Sequence, residues 1–220
     1  MTFALAYKEL RESAWIAAVG LAAMLLVAVA AMGYSPLPGL IGPQRGGGQI
    51  PFLSDSFPYQ FGLVAAVLAL ALGLRQSLGD FWGDAQLCLL HRPVSRRRIY
   101  GVKLAVGLGL YLACAALPVV LYALWAATPG THASPFRWSM TASTWMVWLA
   151  MTPIYLGALL SGSRPAAWLG TRLAPLAAGV LIAVMSAMPL PWSAGLVLLA
   201  AGDALLVVAI LHVVLARDFA

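Results

Sequence analysis

Side chains that could carry out chemistry are scarce in this sequence, in which 9% of the 220 residues are charged and 62% are hydrophobic. The histidines (His91, His132, His212) and cysteines (Cys88, Cys114) are too widely spaced to form a recognisable metal motif. The motifs G-x-S-x-G, H-E-x-x-H and G-x-x-x-x-G-K-[ST] do not occur. We therefore predict no catalytic residue, no metal, no cofactor and no nucleotide-binding phosphate loop.

The longest polar interruption of the chain is GDFWGDAQLCLLHRPVSRRR at residues 79–98, which holds two of the seven acidic and four of the thirteen basic residues. Residues 77–91 can form a short helix with one polar and one apolar side, which Pro93 ends, and Ser95 is the expected N-cap of the next helix. An apolar side with aromatic anchors can bind a groove in a soluble partner. The residues expected to contact that partner are Asp80, Phe81, Trp82, Asp84, Leu89, His91 and Arg92.

The alternative for the same stretch is an amphipathic connector that lies on lipid, with its arginines at the headgroups. The basic residues that follow it are expected to face lipid under either interpretation. They are Arg96, Arg97, Arg98 and Lys103.

The second feature with chemical potential is Asp203, which is predicted to lie near the middle of a membrane span. An ionised aspartate there costs about 2.5–3.5 kcal/mol on insertion scales, so we expect it to face the bundle interior or a wet cavity, or to be protonated. It could contact a substrate or cation in a transport pathway, or form an interhelical hydrogen bond with a hydroxyl. The hydroxyls considered are Ser161, Ser186 and Tyr155, and the glycines expected to allow close helix packing are Gly101, Gly107, Gly109 and Gly202.

The elements that position these residues are predicted to be membrane helices, because the apolar runs are long, unbroken and rich in Ala and Leu. We predict an all-α polytopic membrane protein with one transmembrane domain over residues 1–220. Its six spans are about 15–34, 58–75, 96–126, 142–160, 173–188 and 193–215. Residues 76–95 form a cytoplasmic loop, and residues 35–57 and 127–141 form extracellular loops.

Residues 2–13 are predicted to form an amphipathic helix on the membrane surface, which turns into the first span at Trp15. Phe3, Tyr7 and Leu10 share its apolar face, and charged residues occupy the other face. The alternative is a solvated helical start to the first span.

The orientation follows from the lysines and arginines. With the N-terminus in the cytoplasm, eleven of the thirteen are cytoplasmic and only Arg45 and Arg137 are outside. This positive-inside bias places both termini in the cytoplasm. The net charge of +6 then indicates loops that face anionic membrane lipids, and no nucleic-acid partner is expected.

The polar stretch also resembles a known family. The residues LLHRPVSRRRI at 89–99, followed by KLA at 103–105, are similar to the cytoplasmic loop of type-2 ATP-binding-cassette (ABC) transporter permeases. The segment YKELRE at residues 7–12 resembles the entry helix of that family. This chain departs from the family at Asp84-Ala85, where family members usually have Gly-Thr.

The resemblance implies a permease subunit of the exporter class, in the cytoplasmic (inner) cell membrane. Its partners are expected to be a separate ATP-binding subunit, which hydrolyses the ATP, and a second permease chain, identical or related. The loop at 76–95 would pass movement of the ATPase to the spans, which alternately open to either side. A stand-alone secondary transporter or scaffold is the alternative. A membrane-embedded enzyme is the third class, and it would need more intramembrane polar residues than Asp203.

Overall fold

A computed structural model describes residues 2–34, 50–78, 95–132, 135–164, 169–188 and 191–216. Helix is the only regular secondary structure in these ranges. The helices are α1 (Thr2–Ala31), α2 (Phe57–Leu78), α3 (Arg96–Ala127), α4 (Ala142–Ala150), α5 (Thr152–Ser163), α6 (Leu169–Ala187) and α7 (Trp192–Ala216). A 3₁₀ turn, Trp138–Thr141, leads into α4.

Six helical segments of the described chain are long and apolar enough to cross a membrane, since α4 and α5 together make one segment over Trp138–Ser163. Each has at least 19 residues, which at 1.5 Å per residue gives about 28 Å or more, close to the thickness of a bilayer core. The predicted all-α, six-helix polytopic membrane protein is confirmed. Ser95 is the N-cap of α3, as expected, although its side chain makes no capping hydrogen bond.

The structure differs from the sequence prediction at the N-terminus. Residues 2–13 are helical, but α1 is one continuous helix from Thr2 to Ala31 with no turn at Trp15. The reason lies in the polar side of this helix, because Glu9 and Ser13 are buried in the protein while Phe3 and Tyr7 are exposed. The entry segment and the first span are therefore parts of one helix.

The centre of the bundle is α5, all of whose residues are buried. It packs closely against α6 through the same pattern, P-x-x-x-G, on both helices: Pro153 and Gly157 on α5, Pro175 and Gly179 on α6. A Cβ atom on Gly157 would lie 2.6 Å from the Pro175 carbonyl oxygen, and one on Gly179 would collide with the Pro153 carbonyl oxygen. The glycines thus allow two antiparallel backbones to touch, as small residues do in membrane helix packing.

Of the glycines expected to permit close packing, two do so and two do not. A Cβ atom on Gly202 would clash with a side chain of α6, and one on Gly107 would clash with the Tyr155 hydroxyl. By contrast, a Cβ atom on Gly101 or Gly109 would meet no atom within 4 Å.

The glycine contacts predict opposite effects for two identical substitutions. Gly179→Ala should destabilise the protein by about 1–3 kcal/mol, because the new methyl group on α6 would overpack its contact with α5. Gly109→Ala should be neutral, or stabilising by up to about 1 kcal/mol, because alanine is the better helix former. Thermal unfolding of both purified variants in mild detergent measures the difference. Equal unfolding temperatures would contradict the packing described for α5 and α6.

Candidate functional site

The seven residues predicted to contact a soluble partner, Asp80 to Arg92, lie outside the described residues. The structure does describe the two helices on either side of them. Helix α2 ends at Leu78, and α3 begins at Arg96. Residues 79–94 join these two helix ends, so the contacts between the ends decide how firmly α2 and α3 are held together here.

The ends of α2 and α3 are joined by two reciprocal hydrogen bonds. Lys103 Nζ donates to the Gln76 carbonyl oxygen at 3.0 Å, and Gln76 Nε2 donates to the Lys103 carbonyl oxygen at 3.3 Å. Both residues are buried. Each side chain binds the backbone of the opposite helix, which fixes the two helices in rotation as well as in distance.

The ammonium group of Lys103 also forms an ion pair with Glu9 of α1. The Nζ atom lies 3.4 Å from Glu9 Oε1, and the two side chains are only 1% and 2% exposed. Lys8 Nζ approaches the same oxygen at 3.8 Å. Two charges removed from water lose several kcal/mol of solvation each, and hydrogen bonds such as that from Lys103 to Gln76 help to offset the loss.

Tyr155 connects this group to the central helix α5. Its hydroxyl donates to Gln76 Oε1 at 2.6 Å and lies 3.4 Å from the Lys103 carbonyl oxygen. Gly107 leaves the space that the phenol ring fills. We name the four residues Glu9, Gln76, Lys103 and Tyr155 the polar clamp. Together they tie α1, α2, α3 and α5 to one another at the end of the bundle where α2 ends and α3 begins.

The polar clamp corrects one sequence prediction. Lys103 was expected to face lipid, but it is buried against Glu9 and Gln76. A signal was available, because Lys103 lies four residues before Gly107 and eight before Tyr111, both of which are buried. It therefore occupies the inward stripe of α3, where a lysine requires an anionic partner.

The structure also shows the surroundings of Asp203. Thr152 Oγ1 on α5 lies 2.6 Å from Asp203 Oδ2, so an interhelical hydrogen bond is present. The hydroxyl differs from the three considered, since Ser161 accepts the Leu176 N–H, Tyr155 donates to Gln76, and Ser186 donates to the Ile182 carbonyl oxygen of its own helix. Asp203 is not in contact with the polar clamp, and the two are separate polar sites.

A third polar contact lies at the opposite end of α2. Tyr122 of α3 donates to Asp55 Oδ2 at 2.5 Å. Burial raises the pKa of Asp55, and the Tyr122 hydrogen bond partly opposes that change. Phe52 has a φ of 66° and packs its buried ring against Tyr122 and Phe57, so the turn before α2 is anchored to α3.

Within the described ranges, no group of three or more His, Cys, Asp or Glu side chains could hold a metal ion. Comparison of the chain with protein-family models, with curated proteins and with solved structures found no match.

The polar clamp predicts that the two lysines in contact with Glu9, Lys103 and Lys8, contribute very differently to stability. Lys103→Met leaves the Glu9 carboxylate buried without its main counter-ion, which should cost about 3–5 kcal/mol of stability. Lys8→Met removes the two ion pairs of a partly exposed lysine, with Glu9 and Glu12, and should cost about 0–1 kcal/mol. The check is the unfolding of both purified variants in mild detergent. If Lys8→Met is as damaging as Lys103→Met, the ion pair with Lys103 does not stabilise the bundle.

Proposed function

We propose that this chain is the transmembrane permease subunit of an ABC transporter of the type-2 exporter class. It works with a separate ATP-binding subunit and a second permease chain, identical or related, in the cytoplasmic (inner) cell membrane. Support comes from the loop sequence at residues 89–105, from the positive-inside charge distribution and from the six membrane helices.

The observation that carries the proposal is the position of the polar clamp beside the loop. A soluble ATPase that changes shape can act on a permease only through a cytoplasmic segment that is stiffly joined to membrane helices. Residues 79–94 connect α2 to α3, and the Gln76–Lys103 hydrogen bonds join these helices directly beyond the loop. Force on the loop then moves α2 and α3 as a pair.

The clamp also spreads this movement across the bundle. Glu9 links the pair to α1, and Tyr155 links it to α5, the buried central helix. A push on one loop can therefore reorient four helices together, as alternating access requires. The protein moves its substrate between the two permease chains, and ATP hydrolysis takes place on the partner.

The partner is the first part of the proposal to test. The full chain, purified in mild detergent from its native host, should bring down an ATP-binding protein. Active transport by the chain alone, without such a protein, would contradict the proposal and favour a stand-alone transporter.

The second test addresses the contact itself. In the reconstituted complex, Phe81→Asp combined with Leu89→Asp should abolish stimulation of the partner's ATPase, because two apolar anchors become charged. Leu53→Asp is the matched control, since Leu53 is 60% exposed at the opposite end of α2. It should leave stimulation unchanged. Size-exclusion chromatography of protein extracted from the membrane fraction checks that all variants are inserted and intact. Unchanged stimulation in the double variant would exclude the coupling role of the loop.

A further inference from the structure

The fourth span is interrupted near its middle. Helix α4 ends at Ala150 and α5 begins at Thr152, with Met151 between them in a turn. Pro153 has no backbone N–H, so the Leu149 carbonyl four residues earlier lacks its normal helical donor. This carbonyl accepts instead from the Met151 N–H and from the Thr152 hydroxyl, the latter at 2.9 Å.

The Thr152 hydroxyl thus lies between two acceptors. Its oxygen is 2.9 Å from the Leu149 carbonyl oxygen and 2.6 Å from Asp203 Oδ2. A hydroxyl has one hydrogen and can donate to only one of them. If Asp203 is ionised, its carboxylate and the Leu149 carbonyl compete for that hydrogen. Asp203 Oδ1, which is buried and has no hydrogen-bond partner among the described residues, then remains an unpaired anionic oxygen.

A proton on Asp203 removes the conflict. The acid then donates from Oδ2 to Thr152, Thr152 donates to Leu149, and Oδ1 is a neutral carbonyl oxygen. Every hydrogen in this chain of two bonds has an acceptor. The Leu149 carbonyl, which Pro153 deprives of its helical donor, then has a hydrogen bond, as backbone groups in the membrane interior require.

The charges on neighbouring helices do not offer an alternative counter-ion. Helix α4 has no charged residue, and the basic side chains described on or just beyond the other helices packed against α7 are Arg97, Arg98, Lys103, Arg164 and Arg172. Lys103 pairs with Glu9, and the guanidinium groups of Arg164 and Arg172 donate to backbone carbonyls. On α7 itself, His212 lies nine residues away and is exposed. No described cation forms an ion pair with Asp203.

We propose that Asp203 is a proton-binding site in the middle of the membrane, and that its protonated carboxyl holds α7 against the break between α4 and α5. Loss of the proton to water turns the Thr152 hydroxyl toward the carboxylate and leaves the Leu149 carbonyl with the Met151 N–H as its described donor. The break is then free to change its angle and to admit water. Proton occupancy of one carboxyl thereby stabilises the arrangement of the fourth span described here, whichever energy source drives the protein.

The site can be tested without a transport assay. The infrared difference spectrum of the wild-type chain minus Asp203→Asn, both purified in detergent at neutral pH, should contain the carbonyl stretch of one protonated carboxylic acid. Asp55→Asn is the matched control: when it replaces the wild type in the subtraction, the difference spectrum should still contain the band. Thr152→Val should shift it to higher frequency, because the acid O–H on Oδ2 loses its hydrogen-bond acceptor, and Thr152→Ser should restore it. This pair still tests the site if Asp203→Asn does not fold.

The pH dependence of stability gives an independent result. The melting temperature of the wild type should fall as the pH rises above about 4, the ordinary pKa of an aspartate, because the unfolded chain then loses a proton that the folded protein keeps. Asp203→Asn, whose amide donates to Thr152 at every pH, should lack that fall. A difference spectrum with carboxylate bands in place of the acid band would overturn the proposal. If added sodium or potassium also raises the melting temperature of the wild type alone, the site binds a metal cation and not a proton.

Discussion

The arrangement of the bundle depends on one buried ion pair, Glu9 with Lys103. A lone charge inside an apolar helix bundle loses most of its hydration, whereas a pair at 3.4 Å with further hydrogen bonds recovers part of that loss. The geometry that recovers it is narrow. It requires Glu9 of α1 and Lys103 of α3 to face each other, and it places Gln76 of α2 where its carbonyl accepts from the ammonium group. The pair therefore sets the rotation of three helices.

A second constraint comes from the prolines, because the membrane core has no water to satisfy a backbone carbonyl that a proline leaves without a donor. Pro175 leaves the Thr171 carbonyl without its helical donor, and this carbonyl accepts from Arg164 Nη1 at 3.1 Å. Pro153 leaves the Leu149 carbonyl without its helical donor, and this carbonyl accepts from the Thr152 hydroxyl. The first proline lies near a membrane face where an arginine can reach it. The second lies in the middle of the span, where the donors are the Met151 N–H and the Thr152 hydroxyl, which also contacts Asp203.

The sequence was sufficient to predict six membrane helices, because length and hydropathy decide that question and each span exceeds the threshold. It also predicted that Asp203 would make an interhelical hydrogen bond or line a pathway, because a mid-span carboxyl has few other options. Hydropathy gives little information on how each helix is rotated when all its faces are apolar. For that reason the burial of Lys103 and the identity of Thr152 as the partner of Asp203 were missed. The entry helix was predicted from an amphipathic pattern, but the burial of Glu9, which lies on its charged face, against Lys103 of α3 was not predicted. The contact residues of the loop, Asp80 to Arg92, rest on the sequence alone.

The most direct measurement of the central claim is a double-mutant cycle on Glu9 and Lys103, with Glu9→Gln, Lys103→Met and the double variant unfolded in the same detergent. If the pair holds α1 to α3, the double variant should be more stable than the sum of the single effects predicts, with an interaction energy of about 1–3 kcal/mol. Single effects that add within about 0.5 kcal/mol would mean that the two charges do not interact, and the polar clamp would lose its basis.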